Sequence, residues 1–190
     1  MKHTKVAVLA ASGLLVAALA ARADEKKMEM PKPGPEIKKL GYFVGTWKSE
    51  GKLKPNNFGM PAGKYVSSDK CEWFTGGFHV VCHSNSKGPM GATHGLGLLG
   101  YNSEEKVYTY AGIDSSGMGE MGSKGKVEGE AWTYTSESMM GGKKMWGRYS
   151  MMISSPDSYT FKYETSADGN QWALMMDGKA TRAGKAAAKK

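Results

Sequence analysis

From Val44 to Thr181 apolar and polar residues alternate with a period of two in short segments. Gly, Pro, Asn or Asp divides them about every dozen residues, the pattern of an all-β sandwich or barrel. The segments are GTWKSEGKL, GKYVSSDKCEWF, FHVVCHSNS, THGLGLLGY, KVYTYAGI, GEMGSKGKV, EAWTYTSES, KMWGRYSMMI, SYTFKYETS and QWALMMDGKAT. The separators are Gly76-Gly77, Gly88-Pro89, Asp114 to Gly117, Glu128-Gly129, Gly141-Gly142, Pro156-Asp157 and Asp168-Gly169, which supply the positive or preset φ that hairpins need. No segment is long enough for a parallel crossover helix, so neighbours in sequence should pair antiparallel. About ten strands in one sheet must curl, and only closure removes both edges, so the pattern predicts an up-and-down antiparallel β-barrel.

Turn lengths predict registers. A two-residue Asp168-Gly169 turn sets Thr165 opposite Trp172, Tyr163 opposite Leu174 and Phe161 opposite Met176, an apolar face, and leaves Met175 on the polar one. Across Gly76-Gly77 the same arithmetic sets Cys71 opposite Cys82, the chain's two cysteines. Opposed strand residues have Cα atoms about 4.5 to 5.5 Å apart, within reach of a disulfide. A clasp worth at most about 3 kcal/mol is the expectation; two reduced core cysteines are the alternative. The pair lacks the C-x-x-C spacing of a redox or metal site.

Ahead of the strands, Pro35 opens a short helix, PEIKKLGYF, with Ile37 and Leu40 on one side. Residues 1–23 carry Lys2 and Lys5, an apolar run from Val6 to Ala20, and Ala21-Arg22-Ala23 before Asp24. This reads as a secretory signal peptide, the run being too short to span a bilayer. The expected location is therefore periplasmic or extracellular. Residues 24–34, rich in charge and Pro, read as a flexible linker, 35–181 as the single barrel domain and 182–190 as a basic disordered tail. The formal charge of +8 shrinks to near balance without the signal and the tail, which argues against nucleic acid as a partner. No membrane association is expected after signal cleavage.

At FVGTWKSEGKL, CEWFTGGFHVVC, KGPMGATHGLGLLGY and SPDSYTF the chain resembles a bacterial secreted family known only as domain of unknown function 1579, grouped with the calycin, or lipocalin-like, barrels. The likeness runs from about Pro35 to Thr181. Gly45-Thr46-Trp47 resembles the G-x-W of lipocalins and the start of nitrobindin-like haem barrels. The resemblance implies that Gly45 and Trp47 close one end of the barrel beneath the helix from Glu36 to Tyr42. It implies no activity.

A barrel this wide holds either a small ligand or a filled core. Trp132, Tyr134, Tyr149, Phe161, Tyr163, Trp172 and Met176 are the candidate lining for a small hydrophobic or amphipathic molecule. Arg148 is a candidate anchor for a carboxylate, but its direction is open. The Pro156-Asp157 turn sets it on the side of Phe161, whereas the Gly141-Gly142 turn sets Tyr149 beside Tyr134, and both hold only if a bulge or an odd loop intervenes. His79 and His83, four strand residues and so about 13 Å apart, cannot share a metal whose nitrogens lie within about 4 Å of each other. Unlike the nitrobindin-like barrels, the chain has no histidine after His94 to ligate haem. The many methionines suit Cu(I) or, more plainly, flexible core filling, with each adjacent pair split between core and solvent. The acidic residues read as scattered over outward positions, and no G-x-S-x-G elbow or P-loop occurs. The chain reads as a non-enzymatic binding protein without a cofactor; the alternative is a filled barrel serving as an interaction module, with metal or haem carriage a distant third.

Overall fold

The computed structural model describes residues 31–55, 60–140 and 142–184. The predicted signal peptide, most of the predicted linker and residues 185–190 of the predicted tail lie outside the described residues. A short helix α1 (Pro35–Lys39) continues as a 3-10 turn (Leu40–Phe43). Ten strands follow: β1 (Gly45–Leu53), β2 (Gly63–Trp73), β3 (Val80–Gly88), β4 (Gly91–Asn102), β5 (Val107–Asp114), β6 (Gly119–Glu128), β7 (Ala131–Met140), β8 (Lys143–Ser155), β9 (Ser158–Ser166) and β10 (Ala173–Arg182). Each pairs antiparallel with its sequence neighbours, and β10 returns to pair with β1 from Trp47↔Arg182 to Leu53↔Met176. The barrel is closed, so no edge is left to template association.

Cys71 lies opposite Cys82, their Cα atoms 4.0 Å apart, and the two form a disulfide. The competing registers around Arg148 are resolved by a bulge. Both two-residue turns form, with Met140 opposite Lys143 and Ser155 opposite Ser158, and a register shift between Ile153 and Ser155 absorbs the odd residue. Tyr149 therefore faces inward between Tyr134 and Tyr163, and Arg148 faces outward.

The last hairpin differs from expectation. Asp168-Gly169 is not a two-residue turn but part of a six-residue loop, because the Asp168 carboxylate accepts the backbone N–H groups of Asn170 and Gln171 while the Ser166 hydroxyl accepts those of Asp168 and Gly169. Thr165 then pairs with Ala173, and a second shift between Leu174 and Met176 brings Tyr163 opposite Met176 and Phe161 opposite Gly178. The extra residue is Met175, which is buried, not outward as the simple alternation had it.

One end of the barrel is stoppered. Leu40 and Phe43 drop into it and pack with Trp47, Val80, Leu99, Tyr108, Trp132 and Met151. Phe43 meets the Trp132 ring edge-on at 5.0 Å, and the Trp47 Nε1 donates to the Phe43 carbonyl at 2.8 Å. The helical segment is held from both sides: the Tyr108 hydroxyl donates to the Glu36 carbonyl, and the Tyr42 hydroxyl to the carbonyls of Ser155 and Ser158. Arg182, assigned by sequence to the tail, is instead the last residue of β10. Its guanidinium reaches the Val44 and Tyr42 carbonyls, so Gly45, at φ 124°, lies where an added Cβ would fall 2.8 Å from Arg182 Nη1. Alternation carries the chain's own residues into the stopper, and the opposite end, where the β1–β2, β3–β4, β5–β6, β7–β8 and β9–β10 turns gather, has no such plug among the described residues.

Candidate functional site: the barrel lumen

The two walls of the lumen are chemically unlike. Across β10, β1, β2, β3 and β4, the inward residues Ala180, Ser49, Ser67, Ser86 and Thr93 stand in one register row, so this wall is small and hydroxylic. Across β5 to β9 the inward positions carry Tyr110, Tyr134, Tyr149, Tyr163 and Phe161. Those rings lie along the wall because glycines make room beneath them. A Cβ at Gly112 would fall 2.5 Å from the Tyr110 Oη, one at Gly125 2.6 Å from the Tyr134 ring, and one at Gly178 2.5 Å from the Phe161 ring. Aromatic side chains thus cover bare backbone.

The lumen also holds charge. Asp69, inward beside Trp47 and Ser84, accepts a hydrogen bond from the Ser67 hydroxyl at 2.8 Å, and burial raises its carboxyl above the usual range. Glu120 turns inward because a bulge at Gly122, φ 82°, shifts β6 by one residue against β5. The Ser123 and Ser136 hydroxyls bond to its carboxylate, and burial raises it too. Burial is the main reason that the phenols of Tyr65, Tyr110, Tyr149 and Tyr159 are raised, Tyr110 to about 12; the Asp69 charge adds to each. Tyr65, Tyr110 and Tyr149 share the inward face with Asp69, whereas Tyr159 packs with Tyr42, Phe43 and Trp47.

Tyr149 shows what kind of space this is. It lies mid-strand, between Tyr134 and Tyr163, and burial pushes its phenol well above 10. Yet its side chain keeps accessible surface, as do the inward Tyr65, Asp69, Tyr110, Glu120 and Tyr163. A group walled in on every strand side can expose surface only to an internal space. The lumen is not packed solid.

Of the predicted lining, Tyr134, Tyr149, Phe161 and Tyr163 share this wall, with the Tyr149 and Phe161 rings stacked at 6.0 Å, and Met176 packs beside them. Trp132, 3% exposed, belongs to the stopper. Trp172 and Arg148 are corrections: the long β9–β10 loop carries Trp172 onto the outer face, where the Arg148 guanidinium covers its ring at 4.1 Å and bonds to Glu164 at 2.9 Å. Sequence reasoning missed Tyr65, Asp69, Tyr110 and Glu120. For the first two the signal was present, since Tyr65 and Asp69 share the parity of Cys71.

Elsewhere, His79, His83 and His94 lie on the outer surface, His94 bonded to Asn85. Among the described residues no three His, Cys, Asp or Glu side chains gather as metal ligands. Met151 and Met152 divide between core and solvent as expected, but Met139 and Met140 are both exposed. With Met90 and Met118 they sit at or beside the turns of the end opposite the stopper. Two hollows of about 360 Å³ lie against the wall, one along Lys48–Glu50, Val66–Ser68 and Asn85–Lys87, the other by Lys39, Tyr42 and Trp132 under the helical segment. The first borders the hydroxylic row of Ser49, Ser67 and Ser86 and includes Lys48, Glu50 and Lys87.

No curated protein matches the chain by sequence. Among solved structures, Rv2717c from M. tuberculosis is similar in fold, with a TM-score of 0.58 at 13% identity over 80% of this chain and 99% of that one. The S-type phycobiliprotein lyase CPES from Guillardia theta is also similar, with a TM-score of 0.52 at 8% identity over 78% of this chain and 92% of that one. Both are calycin-like barrels. A family model spans the barrel from residue 32 through Arg182, and the chain belongs to the family described as Protein of unknown function (DUF1579).

Proposed function

We propose that this protein is a non-catalytic carrier whose barrel lumen holds one small amphipathic molecule, inserted through the end opposite the stopper. The observation that carries this reading is the accessible surface of Tyr149 and its inward neighbours deep inside a closed barrel. Such a chamber, aromatic on one wall and hydroxylic on the other with a few placed charges, suits a ligand that is part apolar and part polar. The Cys71–Cys82 disulfide supports a working place in an oxidising compartment, the periplasm or the exterior. The phycobiliprotein lyase supports the reading at the level of architecture alone.

Native mass spectrometry of protein purified from its own host tests the proposal. A discrete added mass that is lost on denaturation is the expected result. Apo protein alone, coupled with failure to take up any amphiphile from a panel, overturns it.

A further inference from the structure

The lumen is lined by anions and aromatic faces, and this combination names a ligand class. Asp69 has one hydrogen-bond donor, Ser67, and no cationic partner among the described residues. Glu120 has only serine hydroxyls. The strand lysines face outward: Lys48, Lys64, Lys70, Lys124, Lys126 and Lys162 are all exposed. Arg182 is committed to the stoppered end, where it holds carbonyls. Among the described residues, two carboxylates thus share an interior that brings no counter-charge of its own. An uncompensated buried carboxylate is unfavourable, so a counter-ion supplied from outside gains affinity there.

The surroundings decide which counter-ion. Tyr65, Tyr110 and Tyr149 share the inward face with Asp69. Tyrosine faces attract a weakly hydrated organic cation through the ring quadrupole, and a carboxylate in the same chamber completes the recognition of an ammonium head. A hydrated metal ion would find too few oxygen ligands beside these rings.

We infer that the lumen selects an organic cation, an amphiphile with a protonated or quaternary ammonium head that sits among Asp69 and the tyrosines while its apolar body lies against Phe161 and Met176. This rests on the lumen-carrier reading and sharpens it to a charge class.

The test is isothermal titration of the full chain with three probes of equal chain length, each below its micelle concentration: decyltrimethylammonium, the neutral decyl maltoside and the anionic decanoate. The expected result is saturable 1:1 binding of the ammonium probe, at least about tenfold tighter than the neutral one, since a charge pair of this kind is worth a factor of ten or more. Asp69→Asn, nearly isosteric, should weaken the ammonium probe at least about tenfold and leave decyl maltoside unchanged. Glu50→Gln, which removes an exposed outer carboxylate, should change nothing and so reports any surface binding. Near-UV circular dichroism confirms that each variant keeps the native fold. Equal affinity for the three probes, or an Asp69→Asn variant that binds the ammonium like the parent, overturns the cation preference while leaving a carrier in place. Failure of every probe to bind overturns the lumen reading itself.

Discussion

The guanidinium of Arg182 lies over the indole of Trp47, 4.3 Å from the ring centroid, and joins the end of the last strand to the start of the first. Its Nη1 donates to the Val44 carbonyl at 2.6 Å, one Nη2 contact goes to the Tyr42 carbonyl at 2.9 Å, and Nε pairs with Asp157 at 3.0 Å. One side chain thus ties β10, the helical segment and the β8–β9 turn to a single point. Arg182→Ala should lower the unfolding free energy by about 2 to 3 kcal/mol, from lost charged hydrogen bonds and the stacked cation. Arg182→Lys should recover less than half, since an ammonium cannot fork to two carbonyls while lying flat on a ring. Urea denaturation of the three proteins checks both statements.

The disulfide closes a hairpin that the sheet already orders. Reduction, or the double change of Cys71 and Cys82 to Ser, should remove about 2 to 3 kcal/mol while leaving the barrel folded. Denaturation with and without a reductant that does not perturb the parent's far-UV spectrum measures the difference.

The lumen carboxylates should be retained at a loss of stability that depends on pH in a definite direction. Burial raises the Asp69 pKa in the folded state, so the folded protein favours the protonated form. The contribution of Asp69 to stability is greatest below its unfolded pKa, about 4, and falls as pH rises through its higher folded value. Asp69→Asn should therefore be more stable than the parent near about pH 7, with the advantage shrinking toward about pH 4. Glu120→Gln should behave alike, for the same cause. Thermal melts across that range decide the sign.

The rings that line the chamber depend on glycine beneath them. Gly125→Ala should cost about 1 to 3 kcal/mol, because the new methyl meets the Tyr134 ring at 2.6 Å and rigid ring atoms cannot yield cheaply. Tyr134→Phe should be neutral or stabilising, since it removes a buried hydroxyl that has no partner. Chemical denaturation of the two variants measures the contrast.

Arg148 and Trp172 form an outer-surface contact. Arg148→Ala should lower stability by about 1 kcal/mol and leave uptake of an amphiphile unaltered. A titration in which the variant loses ligand affinity would return Arg148 to the site.

Strand positions were legible because alternation and turn residues agree along most of the chain; β1 and β9 coincide with the segments read from sequence. What resisted reading were the places where one inserted residue reverses parity. Ser154 decides which way Arg148 points, Gly122 turns Glu120 inward, and Met175 displaces the final register. A bulge leaves little trace in a single sequence, for it is a local trade between turn geometry and the faces of both flanking strands. Arg182 was misplaced for a different reason: beside Lys185, Lys189 and Lys190 it reads as one more solvated charge, and only the return of β10 to β1 shows the carbonyls it meets.

Among the described residues, the stopper of Leu40, Phe43 and Trp132, with Trp47 bonded to the Phe43 carbonyl, shuts one end of the barrel. On the carrier reading proposed above, a molecule held inside would enter and leave by the same doorway. Emptying would then depend on events there, where the exposed methionines of the hairpin tips stand, and handover to an acceptor would require that acceptor to meet the barrel mouth-first.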